Sequence, residues 1–246
     1  MRNLLIRLAV KYDGDYFKVR QGFQNHEDAS GYPLQQAITI FDSCYPKALL
    51  ALEYPPLVLF YSGNLQLLKE KKMAVVGSRN ACKYGIDMTK DIVNKISGEY
   101  TIVSGMAKGI DAIAHQYAEK TIGILGNGLD VVYPKENYNL YKYMEKKQLL
   151  LSEYPYGVAP EKYHFPFRNR IIAGLCQGVI VTQANTKSGT MLTVNEALAI
   201  NREVYAVSYP YNIADNGCNL LIEQGATLLD IDNIGYMLKK NVDKTI

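Results

Sequence analysis

The sequence predicts an α/β fold built on a doubly wound, mostly parallel sheet, and three observations carry that prediction. Short apolar runs such as 73–76, 101–103, 121–125 and 179–182 barely alternate, so both faces of each strand are expected to be covered. Stretches of about three helical turns separate them. Several runs also end in a glycine-containing turn that opens a helix, as Gly77-Ser78-Arg79 does after 73–76. Right-handed crossovers then wind the helices onto both faces of the sheet, a Rossmann-like arrangement.

Taken in order, residues 1–54 read as a small helical N-terminal unit. Segments 3–12 and 34–52 carry amphipathic spacing, while Gly14, Gly22 and Ser30-Gly31-Tyr32-Pro33 read as turns. At Tyr54-Pro55-Pro56 the texture changes, and 55–246 reads as the Rossmann-like domain. It opens with a strand at 57–61, a turn at Ser62-Gly63 and a short helix at 64–71 capped by Asn64. Strand and helix then alternate: strand 73–76, helix 83–97, strand 101–103, helix 109–120, strand 121–125, helix 137–147 and strand 149–152. The second half runs helix 169–176, strand 179–182, helix 189–201, strand 203–207, helix 219–224, strand 227–229 and a helical tail.

Composition narrows the function classes. With 246 residues, 48% hydrophobic and 21% charged, the chain is an ordinary globular protein of one or two domains. A formal charge of +3 is too small to signal nucleic-acid binding in bulk, so any such binding rests on a local patch. Cys44, Cys82, Cys176 and Cys218 form no C-x-x-C pair, and His26, His115 and His164 are dispersed, so neither a metal site nor a disulfide framework is expected. The apolar N-terminus is broken by Arg7 and Lys11 and lacks a small-residue cleavage site. It reads as neither a signal peptide nor a membrane span, which places the chain in the cytoplasm.

Ligands of a doubly wound sheet bind beyond the carboxyl ends of its strands. Four turns there are rich in Gly, Ser, Asn and Lys: Gly77-Ser78-Arg79, Ser104-Gly105-Met106-Ala107-Lys108-Gly109-Ile110-Asp111, Gly126-Asn127-Gly128-Leu129-Asp130 and Gln183-Ala184-Asn185-Thr186-Lys187-Ser188-Gly189-Thr190. Helix N-termini leave N–H groups for an anion, and Arg79 adds a planar fork suited to phosphate. Each turn alone is equally a tight strand–helix connection; the set points to anion binding. The spacing is not that of a P-loop, and no G-x-G-x-x-G with an acidic partner supports a dinucleotide, so no cofactor is expected.

The stretch Tyr163-His164-Phe165-Pro166-Phe167-Arg168-Asn169-Arg170 adds cations and aromatics. Two readings stand open: rings that stack bases beside phosphate-pairing arginines, or core phenylalanines beside arginines held in structural ion pairs. A helix starting near Arg168 would bring at least one arginine to the ligand edge. Ser104, Ser188 and His115 form no nucleophile–base arrangement, and Asp111 and His115, at i,i+4, read as a structural hydrogen bond. No enzymatic activity is expected.

As an ordered set, these stretches resemble the DNA-processing protein A family. The resemblance covers residues 45–229 and includes VVGSR followed by Tyr84-Gly85, SGMAKGIDAIAH, GNGLDVVYP, LLSEYP, FPFRNRIIAGL, TKSGTMLTVNEAL and GCNLLIEQGA. It implies a domain that binds single-stranded DNA without sequence preference, forms a homodimer, and delivers the recombinase RecA onto incoming DNA in natural transformation. Motif by motif, the implied DNA contacts are Gly77, Ser78 and Arg79; Ser104, Gly105, Lys108 and Gly109; Arg168, Asn169 and Arg170; and Ser188, Gly189 and Thr190. The apolar segment 219–224 is the implied dimer contact.

Departures from the family pattern are Gln183, where members often carry an acid, and Ser208-Tyr209-Pro210, where they have a Pro-Gly turn. Both are expected on the ligand edge. The chain stops at Ile246, so the winged-helix domain of many members is expected to be missing. A second family of this fold, the lysine-decarboxylase-like phosphoribohydrolases, has a P-G-G-x-G-T loop followed by a glutamate. Thr186-Lys187-Ser188-Gly189-Thr190 and Glu196 match it in part, which would imply cleavage of nucleoside monophosphates instead.

Overall fold

A computed structural model describes residues 1–210 and 217–242 of the chain. Its strands are β1 (Ala37–Thr39), β2 (Val58–Gly63), β3 (Lys72–Gly77), β4 (Thr101–Ser104), β5 (Thr121–Leu125), β6 (Leu149–Ser152), β7 (Gly178–Gln183), β8 (Glu203–Ala206) and β9 (Thr227–Leu228). The helices are α1 (Arg2–Lys11), α2 (Tyr16–Gln24), α3 (Lys83–Ile96), α4 (Ile110–Tyr117), α5 (Tyr138–Lys147), α6 (His164–Leu175), α7 (Gly189–Ala199), α8 (Gly217–Glu223) and α9 (Ile234–Val242). All strands form one nine-stranded sheet in the order β1-β2-β6-β5-β4-β3-β7-β8-β9. From β6 to β9 every pairing is parallel; β1 and β2 add an antiparallel edge. The expected α/β, doubly wound fold is the one observed.

The absence of alternation in the strands has the expected cause. Along β6, Leu149 and Leu151 enter one core cluster and Leu150 the other; along β2, Leu59 and Phe60 divide the same way. Both faces of the sheet are therefore covered, and β5 is buried from end to end.

Two expectations for the first 54 residues are corrected. Segment 34–52 is not a helix: Ala37-Ile38-Thr39 pairs with Phe60-Leu59-Val58 as β1, and only Lys47–Ala51 winds into a short 3-10 turn. Asp42 ends the strand by accepting from the Thr39 amide (2.7 Å) and hydroxyl (2.9 Å). Three buried positions on a sheet edge outweighed the helical spacing. A helix that the glycines concealed, α2, starts where the Asp15 carboxylate accepts from the amides of Phe17 and Lys18, both at 3.1 Å. Gly22 lies inside it and lets α2 close on Leu8 of α1.

The chain lays down β3, β4, β5 and β6 in one direction, then returns through α6 to place β7 on the other side of β3. The order reverses between β3 and β7. In a doubly wound sheet the crevice beyond such a reversal is where ligands bind.

Candidate functional site

The turn after β3 is locked from two sides. The Ser78 amide donates to the Gln183 carbonyl (2.8 Å), and the Ser78 carbonyl accepts from the Ile110 amide (3.1 Å). A Cβ on Gly77 would lie 2.7 Å from Ile110 and 2.8 Å from the Gln183 carbonyl, so only glycine fits. Fixing this turn displays Arg79, which is exposed, has no carboxylate within ion-pair distance among the described residues, and holds its guanidinium 5.6 Å from the Phe165 ring centroid.

The turn after β4 differs from the expectation. Asp111, in the first turn of α4, accepts from the amides of Gly105 (3.1 Å) and Ala107 (3.3 Å), so the N–H groups expected for an external anion already hold a resident one. Ser104 is fully buried and its hydroxyl donates to the Val75 carbonyl (2.6 Å), which makes it a strand tie and not a ligand contact. Lys108 is ion-paired with Glu136 on the surface. The turn after β5 is closed as well: the Asn127 amide donates to the Gly128 (2.9 Å) and Val131 (2.7 Å) carbonyls. Of the four expected turns, those after β3 and β7 open widely onto the crevice, and the one after β4 reaches it through Ala107 and Asp111.

Helix α6 starts at His164, five residues before the expected 169, because Pro166 is tolerated in a first helical turn. Arg168 and Arg170 are therefore both helical, and residues two apart point about 200° away from each other. Arg168 turns toward the crevice: its Nη1 donates to the Gly105 (2.8 Å) and Ile124 carbonyls, and its Nε to Asn169 Oδ1 (3.3 Å). A Cβ on Gly105 would lie 2.5 Å from Arg168 Nη2 and 2.7 Å from Asp111 Oδ2, so this position too requires glycine. Burial pulls the Arg168 guanidinium down to about 10, with Asp111 opposing the fall, and it stays charged at neutral pH. Arg170 points away. It forms a buried, two-pronged pair with Glu153 (2.6 and 2.7 Å), donates to the Tyr54 carbonyl (2.9 Å) and lies 3.8 Å from the Phe167 centroid. The two open readings thus divide, with Arg168 and Phe165 on the crevice and Arg170 and Phe167 in a structural cluster.

The result is a cleft of ≈ 560 Å³ at the reversal between β3 and β7. Gly77, Ser78, Arg79, Arg168 and Asn169 line it together with Ser188, Gly189 and Thr190, which open α7 toward it. The Ser188 hydroxyl is buried with no partner among the described residues, and the first turn of α7 carries no acid. A smaller pocket of ≈ 60 Å³, beyond Arg79, Tyr133 and Phe165, takes Gly105 and Lys108. Ser104, Gly109 and Arg170 line neither, and Glu196 is outside both. Asn185, from the expected turn after β7, lines the cleft; sequence reasoning missed Lys162 and Tyr133, which line it too. Tyr133 lies 5.5 Å from Phe165, centroid to centroid; its place before Pro134 in the GNGLDVVYP run was the available signal.

Three other expectations change. Gln183 is buried, its side chain accepts from the Cys82 amide (2.9 Å) at the start of α3, and it does not line the cleft. Tyr209 packs edge-on against Tyr84 and donates to the Thr182 carbonyl (2.7 Å), again a structural role. His115 does not pair with Asp111; its Nδ1 meets the Thr121 hydroxyl at 2.6 Å. Burial, aided by the Arg168 charge, pushes its pKa down to about 3. Among the described residues no cluster of His, Cys, Asp and Glu is placed to hold a metal ion, and no helix is long and apolar enough to cross a membrane.

The family model for DNA recombination-mediator protein A matches residues 36–239. The chain belongs to this family. It is 47% identical over 200 residues to DNA processing protein DprA of Streptococcus pneumoniae, covering 78% of this chain and 70% of that one. It is 43% identical over 202 residues to DprA of Bacillus subtilis, covering 77% and 66%. Protein Smf of Escherichia coli is 40% identical over 192 residues, covering 75% of this chain and 51% of that protein. The match thus leaves a third to a half of some family members' length unspanned. Among solved structures, DprA of S. pneumoniae superposes with a TM-score of 0.79 at 39% identity, covering 92% of this chain and 89% of that one. A Helicobacter pylori DNA processing protein A structure, concerned with that protein's single-stranded DNA binding mode, gives 0.78 at 33% identity, covering 84% and 97%.

Proposed function

We propose that this chain binds single-stranded DNA in the cleft between β3 and β7, with little base selectivity, and acts in DNA processing and recombination. Arg79, an exposed guanidinium set above an aromatic ring and without a carboxylate partner among the described residues, is the observation that carries the reading. A phosphate placed on Arg79 also meets Arg168, Lys162 and the N-terminus of α7, while the adjoining base finds Tyr133 and Phe165. Among the described residues the one carboxylate lining the cleft, Asp111, is turned onto the Gly105 and Ala107 amides. The S. pneumoniae, B. subtilis and H. pylori relatives support the same role.

The finer assignments rest on the family. We propose that the chain delivers RecA onto the bound strand and works as a homodimer, with the groove of α7, β8 and α8 as the contact; exposed Leu198 and the apolar Val194, Val204 and Leu221 line it. The protein carries out no chemistry in this reading, and the phosphoribohydrolase alternative loses its acid because Glu196 does not line the cleft. The test is fluorescence anisotropy with an unstructured oligonucleotide and a blunt duplex of equal length. The single strand is expected to bind more tightly, with a log–log salt slope of about 0.7 per neutralised phosphate. Equal affinity for the duplex counts against the proposal, as does release of free base from nucleoside monophosphates.

A further inference from the structure

A second cleft, also ≈ 560 Å³, lies on the opposite side of the first turns of α6, between that helix and the turn joining α1 to α2. Its walls are aromatic: Tyr16, Phe17, Tyr154, Tyr163, His164 and Phe167. Tyr16 and Phe17 meet edge-to-face at 5.3 Å, and Tyr154 stacks on His164 at 3.9 Å. Phe17 and Tyr163 keep 57% and 65% of their surface in solvent, and exposed rings gathered around one concavity mark a contact surface. Tyr154, by contrast, is buried.

The charge of this cleft is opposite to that of the first. Asp13, Asp15 and Glu161 line it, against the single cation Lys18. Asp15 is engaged, capping α2 and lying 3.5 Å from Lys18. Asp13 and Glu161 are exposed and have no basic side chain within ion-pair distance among the described residues. The aromatic wall already holds one guanidinium from the inside: Arg170 sits 3.8 Å from the Phe167 centroid and 5.8 Å from that of Tyr16, its charge answered by Glu153.

We infer that this cleft docks a basic segment of a protein partner, whose lysine or arginine side chains lie on the aromatic wall with their charges toward Asp13 and Glu161. The carboxylates repel a phosphate backbone, and an uncharged apolar peptide leaves them unanswered. None of the residues lining this cleft lines the first, so DNA and a basic chain fit the molecule together.

The probe is a short fluorescent peptide rich in arginine and lysine, titrated beside its glutamate counterpart and an oligothymidylate. The basic peptide is expected to bind and to weaken with salt, while the acidic one does not bind. The double variant Asp13→Asn, Glu161→Gln is expected to lose about five-fold in peptide affinity, as two exposed charge contacts are removed. Phe17→Leu is expected to lose about three-fold as one cation–π surface goes. Oligothymidylate affinity stays at the wild-type value in both variants. All three positions are exposed, and circular dichroism checks that the variants fold. The inference is overturned if the wild-type protein ignores the basic peptide, if the variants bind it unchanged, or if they lose oligothymidylate affinity. Wild-type self-association that the double variant abolishes makes the occupant a second copy and also overturns it.

Discussion

Two clefts of about the same volume flank the first turns of α6, and their linings are nearly opposite. One gathers Arg79, Lys162 and Arg168 with the N-terminus of α7; the other gathers Asp13, Asp15 and Glu161 around aromatic rings. A single helix supplies both, because residues two apart diverge: Phe165 and Arg168 go one way, His164, Phe167 and Arg170 the other. The same residue type thus acquires unlike roles. Arg79 is exposed and has no carboxylate partner among the described residues, while Arg170 is buried with every direction occupied by Glu153, a carbonyl or a ring. Exposure and partner count set Arg79 apart as a ligand group and Arg170 as a structural one; Arg168, buried and donating to the Gly105 and Ile124 carbonyls at the wall of the cleft, stands between them.

The largest effect that separates the two clefts is expected at Arg170. Arg170→Ala leaves Glu153 buried without its partner, and urea unfolding is expected to show a loss of about 3–5 kcal/mol. Replacing both partners, Arg170→Met with Glu153→Leu, should recover much of that loss, since the uncompensated charge goes too. The salt slope of DNA binding by the folded fraction is expected to stay put.

Arg79→Ala reverses the pattern. Single-stranded DNA affinity is expected to fall by about 1.5–3 kcal/mol, the range for a hydrogen bond to a charged group. The salt slope should drop by about 0.7 while thermal stability is unchanged. Arg79→Lys recovers part of the loss, keeping the charge without the planar fork. A lower melting temperature with an unchanged slope would make Arg79 structural and break the contrast.

The histidines report the two electrostatic environments. His115, under the cationic cleft, is pushed down to about 3 by burial and by Arg168. His164, in the acidic cleft, is also lowered by burial, but the Gly126 carbonyl and Glu161 oppose the shift. An unfolded histidine takes its proton near pH 6.5, so below that the unfolded state binds more protons and stability falls as pH falls. Between pH 6.5 and 5, His115 alone is expected to remove about 2 kcal/mol. NMR titration should find His164 protonating at higher pH than His115. The smallest effect is expected at Lys108→Ala: its exposed pair with Glu136 leaves the melting temperature unchanged, and DNA affinity changes less than in Arg79→Ala.

The fold was legible because β3 to β7 are short, doubly covered strands whose sequences have no polar face to hide. Segment 34–52 was not, since three residues of β1 are too few to show a period and the pairing partner lies about twenty residues on. The candidate site was legible as a set of turns but not in its division of labour. Nothing in SGMAKGIDAIAH says that Asp111 folds back onto the Gly105 and Ala107 amides, because that is a tertiary decision of α4. Arg168 and Arg170 could be separated only once α6 was seen to begin at His164. Lys162 escaped notice because a lone lysine before an aromatic run carries no local signature.

The central claim is that a single strand lies in the cationic cleft and not in the acidic one. Photocrosslinking with an oligothymidylate carrying iododeoxyuridine, followed by peptide mass mapping, tests it directly, since both clefts offer aromatic targets. Adducts are predicted on Tyr133 or Phe165 and are expected to diminish in Arg79→Ala. Adducts concentrated on Phe17, Tyr154 or Tyr163 would contradict the account.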